Sequence, residues 1–249
     1  MLSIAGRRYD PTFIVFDKDG TLISFDVVWH AWFRYLMEAL EAQVSLDALT
    51  RQEFAATLGY DPQTDLWDPL GPLTLAATNE CVLLMAGQLY RCQDVDWNRA
   101  ITLVSQAEDV ARDRLEAQDL VEPIGDVRGR LQQLKAQKIR LAVATTDKRS
   151  TTERNLEKLG IADLLETIVC GDDEVPLKPA PDMALAVCRR LGVDPREGMM
   201  VGDTVGDMLM ARRAGYGHLV GVTSGAQTAD VLRPNAHVVI PDIHAIEVL

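Results

Sequence analysis

Apolar residues first gather in Phe13-Ile14-Val15-Phe16, an unbroken run that suits a strand covered on both faces. The run stops at Asp17-Lys18-Asp19-Gly20-Thr21, a polar loop. From about residue 25 to residue 120 the period changes. Residues 29–42, 46–58, 73–89 and 97–120 carry apolar positions three and four apart and are rich in Ala, Leu, Glu and Gln. That spacing predicts helices with no strand between them. Gly59-Tyr60-Asp61-Pro62 and Asp68-Pro69-Leu70-Gly71-Pro72 interrupt the pattern, because glycine and proline stop helices.

After Pro123 helix and strand alternate. Helices are predicted over 126–137, 151–159, 181–191 and 207–214, the last three stopped by Gly160, Gly192 and Gly215. Strands are predicted over 141–144, 167–170 and 199–201, with edge strands at 218–222 and 237–240. Such alternation predicts an α/β fold, a Rossmann-like doubly wound parallel sheet with helices on both faces. The first strand belongs with this part, which makes the helical stretch an insertion. The expected division is an α/β core over 1–22 and 124–249 and an all-helical domain over 23–123.

Composition then narrows the class. Among 249 residues, 47% are hydrophobic and 25% charged, as in soluble globular proteins. A net charge of −12 argues against non-specific nucleic-acid binding, which needs a basic face to displace counterions. The opening MLSIAGRRYD has too short an apolar run for a signal peptide, and no stretch approaches 18 apolar residues. The expected compartment is therefore the cytoplasm, with no membrane partner. Cys81, Cys92, Cys170 and Cys188 show neither C-x-x-C pairing nor ligand spacing with the four histidines. Cys170 and Cys188 read as small buried hydrophobes. The sequence assigns no oligomeric state.

In open parallel sheets, ligands bind beyond the carboxyl ends of the strands. Asp17 follows the first strand, Thr145 the second, and Asp203 the strand at 199–201, while Lys178 lies in the loop after 167–170. Asp17, Asp19 and Asp203 would thus converge with one hydroxyl and one ammonium. Clustered acids repel unless a cation holds them, and hard oxygen ligands suit Mg²⁺ beside a substrate phosphate. Each fragment alone has a plainer reading. Asp-Lys-Asp-Gly makes a turn, Thr145 is a strand-end threonine, and Lys178 is a solvated lysine in a rigid Pro-rich loop. Thr204 with Asp207 three residues on makes a capping box, a role compatible with any other. The order and placement of all four together favour chemistry. Gly215-Tyr216-Gly217-His218-Leu219-Val220-Gly221 has the wrong spacing for a dinucleotide site and reads as a turn.

These residues resemble the haloacid dehalogenase-like superfamily. Asp17-x-Asp19-Gly20-Thr21-Leu22 behind an apolar strand is similar to its first signature and Thr145 to its second. Lys178 in Lys-Pro-x-Pro resembles the third, and Gly202-Asp203-x-x-x-Asp207 the fourth. The overall pattern resembles the phosphoglycolate phosphatase branch. The resemblance implies Asp17 as nucleophile, forming an aspartyl-phosphate, and Asp19 as general acid and base. It implies Thr145 and Lys178 as phosphate and charge stabilisers. It also implies Mg²⁺ on the Asp17 carboxylate, the Asp19 carbonyl and Asp203, supported by Asp207. The insertion lies where the family places a helical cap, and the stretch from Thr145 to Lys178 is too short for the alternative cap. A small phosphorylated metabolite, phosphoglycolate-like, is the implied substrate. Two departures stand out. Lys18 stands where an apolar residue is common and is read as pairing with an acid at the surface, without a role. Thr146 stands where Asn is frequent.

The rivals differ by residue type. A 2-haloacid dehalogenase of this fold needs no metal and lacks the second acid, and a phosphonatase usually lacks the acid at position 19. A phosphomutase shares all four signatures. A catalytically idle regulatory protein would not be expected to keep Asp17 and Asp19.

Overall fold

The chain opens with a hairpin that the hydrophobic pattern did not signal. Strands β1 (Leu2–Ile4) and β2 (Arg7–Tyr9) pair antiparallel around Ala5 and Gly6, whose φ values are 49° and 74°. Positive φ at both turn residues is what lets a two-residue hairpin follow the strand twist. Strand β3 (Phe13–Phe16) comes next, buried at every residue. The computed structural model describes residues 1–118 and 120–249.

The chain forms two compact units, Met1–Phe25 with Val121–Leu249, and Asp26–Leu120. The second holds helices α1 (Phe25–Glu41, entered at its first residue), α2 (Ala48–Leu58), α3 (Pro72–Leu75), α4 (Thr78–Cys92) and α5 (Trp97–Gln118). Trp32, Leu36, Leu40, Phe54, Met85 and Val104 lie in its core. The helix expected over 97–120 is described through Gln118, and Asp119 lies outside the described residues.

Two expectations for this unit need correction. The helix expected over 73–89 is two helices. Ala76 and Ala77 are extended, and the Glu80 carboxylate accepts from the Ala77 backbone N–H at 2.8 Å, so a new helix start is capped there. A small strand pair also interrupts the helices, β4 (Tyr60–Asp61) against β5 (Leu66–Trp67). Two residues are too few to show a period of two. What holds the pair is the cross-strand Tyr60–Trp67 contact, ring centroids 4.4 Å apart, over a turn closed by Asp61.

The remaining elements build the α/β unit. They are α6 (Val127–Ala136), β6 (Arg140–Ala144), α7 (Arg149–Lys158), β7 (Thr167–Val169), α8 (Asp182–Leu191), β8 (Gly198–Gly202), α9 (Val205–Ala214), β9 (His218–Val222), α10 (Ala229–Leu232), β10 (Val238–Ile240) and β11 (Ile246–Val248). β11 pairs with β1, which makes a separate three-stranded sheet of the chain's two ends. The main sheet has six parallel strands in the order β10-β9-β8-β3-β6-β7, a doubly wound α/β architecture. β9 is therefore an interior strand, contrary to the edge position expected for 218–222. Only β10 takes that place at its end of the sheet, because it continues the pairing beyond β9. Phe13, Val15, Ala142, Ala144, Met200 and Met208 share one core with α8 residues Met183 and Val187.

The winding fixes where chemistry can sit. From β3 the chain builds outward through β6 and β7, then returns to the other flank of β3 as β8. β3 is thus the switch point, and the crevice beyond its carboxyl end is where such sheets bind ligands. Among the described residues no helix is long and apolar enough to cross a membrane.

Candidate active site

Asp17 begins where β3 ends, and its N–H donates to the Val201 carbonyl at 2.9 Å, extending the ladder by one bond before the chain turns away. The turn is tight. The Leu22 and Ile23 amides donate to the Lys18 carbonyl at 2.9 and 3.0 Å, and Gly20 has φ 78°. A Cβ at Gly20 would stand 2.3 Å from Asp203 Oδ2 and 2.7 Å from the Gly225 Cα, so only glycine lets these loops meet. The loop after β9 completes the fastening. Ser224 Oγ donates to the Gly20 carbonyl at 2.7 Å, the Ala226 N–H donates to Asp203 Oδ2 at 2.7 Å, and buried Gln227 accepts from the Val205 N–H at 2.6 Å.

Lys178 comes from the loop between β7 and α8, which is tied down by Arg213 donating to the Pro179 carbonyl at 2.8 Å. Its buried ammonium lies 2.5 Å from Asp17 Oδ1 and 2.6 Å from Asp207 Oδ1. Asp207 is also the far half of the capping box. Its Oδ2 accepts from the Thr204 N–H at 3.1 Å and the Thr204 hydroxyl at 2.6 Å, so both of its oxygens are engaged. Thr145, buried at the end of β6, receives the Asp147 N–H on its own Oγ1 at 3.2 Å, which leaves the hydroxyl proton free to be donated elsewhere.

Carboxylate oxygens of Asp17, Asp203 and Asp207 lie within 4.8 Å of one another. Burial pushes the Asp17 carboxyl up to about 7; Lys178 opposes this, while the neighbouring charges of Asp207 and Asp19 add to it. Burial also raises Asp203 well above the ordinary carboxylate range, helped by the charges of Asp17 and Asp207. Lys178 stays protonated: burial works against its charge, but the carboxylates of Asp17 and Asp207 outweigh it and raise it. One ammonium does not balance three acids. Asp203 Oδ1 is buried without a hydrogen-bond partner among the described residues, an arrangement that disfavours folding unless something else satisfies it. An all-oxygen donor set with an orphaned carboxylate oxygen fits a hard divalent cation such as Mg²⁺. A second acidic group, Cys170, Asp172 and Asp173, does not fit a metal as well. Arg149 and Arg190 already occupy Asp173, Asp172 accepts from the Arg149 N–H, and burial raises the Cys170 thiol.

Lys18 requires a correction. It pairs with acids, as expected, but not at the surface. Its side chain is 1% exposed, with Nζ 2.7 Å from Asp19 Oδ1 and 3.0 Å from Asp147 Oδ2. Two carboxylates from neighbouring loops outweigh the loss of hydration that would otherwise send a lysine outward. Asp147 and the Ser224–Gln227 loop are the residues that sequence reasoning passed over. Asp147 stands two positions past Thr145. Its carbonyl accepts from the Gly171 N–H at 2.7 Å, so it organises this loop while Thr146 is exposed.

The sequence profile of the haloacid dehalogenase-like hydrolases matches residues 12–215, and the chain belongs to that family. "Probable phosphatase IndB" of Dickeya dadantii is 37% identical over 232 residues, which is 92% of this chain and 88% of that protein. "Pyrophosphatase PpaX" of Bacillus velezensis is 35% identical over 108 residues, 42% of this chain and 50% of that one. Among solved structures, "a predicted phosphoglycolate phosphatase" from Haemophilus somnus superposes with a TM-score of 0.71 at 18% identity, covering 95% of this chain and 96% of that chain. The last of these speaks to the fold alone.

Proposed function

We propose that this hydrolase is a magnesium-dependent phosphatase acting on a small phosphorylated metabolite through a covalent intermediate on Asp17. The observation that carries the reading is the buried Asp17 carboxylate, held by Lys178 beside the orphaned oxygen of Asp203 at the switch point of the sheet. The names of the similar phosphatase and pyrophosphatase support the reaction class.

In the first step an Asp17 oxygen attacks phosphorus and forms a new P–O bond. The bond from phosphorus to the ester oxygen breaks, and Asp19 gives that oxygen its proton. In the second step water attacks the same phosphorus. Asp19, now ionised, takes the proton from the water, the acyl-phosphate P–O bond breaks, and both carboxyls return to their starting states. Splitting one displacement into two is what a covalent nucleophile contributes. Thr145 has a hydroxyl proton free for a phosphoryl oxygen, and Lys178 keeps the nucleophile oriented and balances charge. The Asp17 carboxylate, the Asp19 carbonyl and Asp203 would hold Mg²⁺, whose charge lowers the repulsion between a carboxylate and a phosphate. Asp207 supports from behind, through Lys178 and Thr204. The inserted helical unit is the proposed source of selectivity among small substrates.

The test is phosphate release from p-nitrophenyl phosphate by the purified protein, with Mg²⁺, after EDTA, and after Mg²⁺ is restored. Release that stops with EDTA and returns with Mg²⁺ is expected. Undiminished release in EDTA removes the metal from the reading, and no release from any ester removes the reading itself. Binding also has a signature independent of turnover. A ligand at about 100 times its Kd stabilises the folded state by about 2.7 kcal/mol, or a rise in Tm of about 5–10 °C for a chain of this size. Asp203→Ala should lose most of that rise in a thermal melt, whereas an unchanged rise would place the ion elsewhere.

A further inference from the structure

Lys18 has no part in the mechanism above, yet it is among the most deeply buried charges of the molecule. Its ammonium touches Asp19 at 2.7 Å, and Lys18 is the one hydrogen-bond partner that the Asp19 carboxyl has among the described residues. No other hydrogen bond among the described residues fixes the rotation of that carboxyl about its χ2 axis, a torsion with broad intrinsic freedom. The far side of the ammonium is held by Asp147 Oδ2 at 3.0 Å. Asp147 is itself fixed, its N–H donating to Thr145 Oγ1 and its carbonyl accepting from Gly171. A chain of contacts therefore runs from the β6 loop through Lys18 to one oxygen of Asp19. The Asp19 side chain remains 16% exposed, so it is not sealed off from a substrate.

We propose that Lys18 is a positioning residue for proton transfer: it grips Oδ1 of Asp19, anchored by Asp147, and so presents Oδ2 to the leaving group and afterwards to the attacking water. The proposal rests on the reading of Asp19 as acid and base. A salt bridge that merely stapled two loops together would leave the proton donor no better aimed than before. Lys18 acts through Asp19, touching neither phosphorus nor the leaving oxygen. Its effect should therefore scale with how much the leaving group needs a proton. An alkyl phosphate, whose alkoxide leaves poorly, depends on an aimed Asp19. The ester of p-nitrophenol, whose anion leaves unaided, depends on it far less in the first step, while the second step needs Asp19 equally for both esters.

The experiment compares Lys18→Met with the wild type, at saturating Mg²⁺, on a small alkyl phosphate and on p-nitrophenyl phosphate. Leaving-group release is followed in a single turnover with protein in excess, which reads the first step apart from the second. Its limiting rate and half-saturating concentration are read separately, and a thermal melt is run in parallel. Misplacing a reacting group by about 1 Å can lower a rate roughly 10²-fold. A fall of that order is expected in the limiting single-turnover rate for the alkyl ester, with less than about tenfold for the p-nitrophenyl ester and a half-saturating concentration within about threefold for both. Equal single-turnover losses on both esters, or no loss on either, overturn the proposal. Lys18→Met leaves two acids without a counterion and could fail to fold, so Asp147→Asn is the second variant. It keeps the oxygen acceptor, lies at the partly exposed end of the chain of contacts, and removes the charge that anchors Lys18. In the same single-turnover readout a several-fold fall confined to the alkyl ester supports the positioning role, and an unchanged ratio between the two esters overturns it. Should the wild type hydrolyse neither ester, the failure belongs to the phosphatase reading. Should it hydrolyse both while the variants scale the two first steps together, only the role of Lys18 fails.

Discussion

Asp17→Asn is expected to reduce turnover of every phosphate ester by roughly 10³-fold or more, as the loss of a covalent nucleophile does, while the fold survives. The amide is nearly isosteric with the carboxylate and keeps an oxygen to accept from Lys178, which now stands 2.5 Å from Asp17 Oδ1. It has no negative charge to attack phosphorus. Stability should move in the other direction in metal-free protein. Burial places the Asp17 carboxyl at about 7 in the folded chain, against an ordinary value of 3.8. An acid raised in this way binds its proton more tightly folded than unfolded. Between about pH 4 and 7 the unfolded chain has lost that proton and the folded chain has not, so wild-type stability falls as pH rises through this window. Asp19 and Asp203, also raised by burial, act in the same sense. The Asn variant lacks the contribution from position 17. Its Tm in EDTA should decline less from pH 5 to pH 8 than that of the wild type. Activity above a few per cent, with deamidation excluded, removes Asp17 as nucleophile.

Asp19→Asn is expected to separate leaving groups. General acid catalysis is worth roughly 10²–10⁴-fold, and alkyl esters should lose most of that in the first step. The p-nitrophenyl ester needs no proton on its leaving group, so its first step should stay fast. Its second step should not, because the same side chain must take a proton from water. The Asn side chain can still accept from Lys18 through its amide oxygen, so the contact at 2.7 Å has a neutral substitute and the loop should hold. Equal losses for phenolate and alkoxide esters in the first step would show that Asp19 is not the acid.

Much of this site was legible because it depends on single residues at strand ends. An apolar run ending in Asp17, a second ending at Thr145 and a third ending before Asp203 suffice once the sheet is known to be parallel. The sheet was legible for the same reason: strands buried on both faces read as unbroken apolar runs. The misses have physical causes too. β1, β2, β4, β5 and β11 are two or three residues long, and such lengths carry no measurable period. The interior position of β9 depends on where β10 lands, which no local pattern encodes. Lys18 was placed outside because isolated lysines prefer water, yet its environment is set by Asp147, more than a hundred residues on. The fastening of Gly20 by the Ser224 hydroxyl and of Asp203 by the Ala226 N–H was invisible because one end of each bond is a backbone group, which leaves no mark in a sequence.

The central claim is that phosphorus is transferred to Asp17 before water releases it. The direct measurement is rapid mixing of Asp19→Asn protein with p-nitrophenyl phosphate and Mg²⁺, acid quench, and mass analysis of the peptide that contains residue 17. A burst of about one p-nitrophenolate per protein, followed by slow turnover, should coincide with a phosphoryl group on that peptide at Asp17, because the first step outruns the second. A wild-type protein that hydrolyses the ester, beside a variant that shows neither burst nor phosphorylated Asp17, would contradict the account.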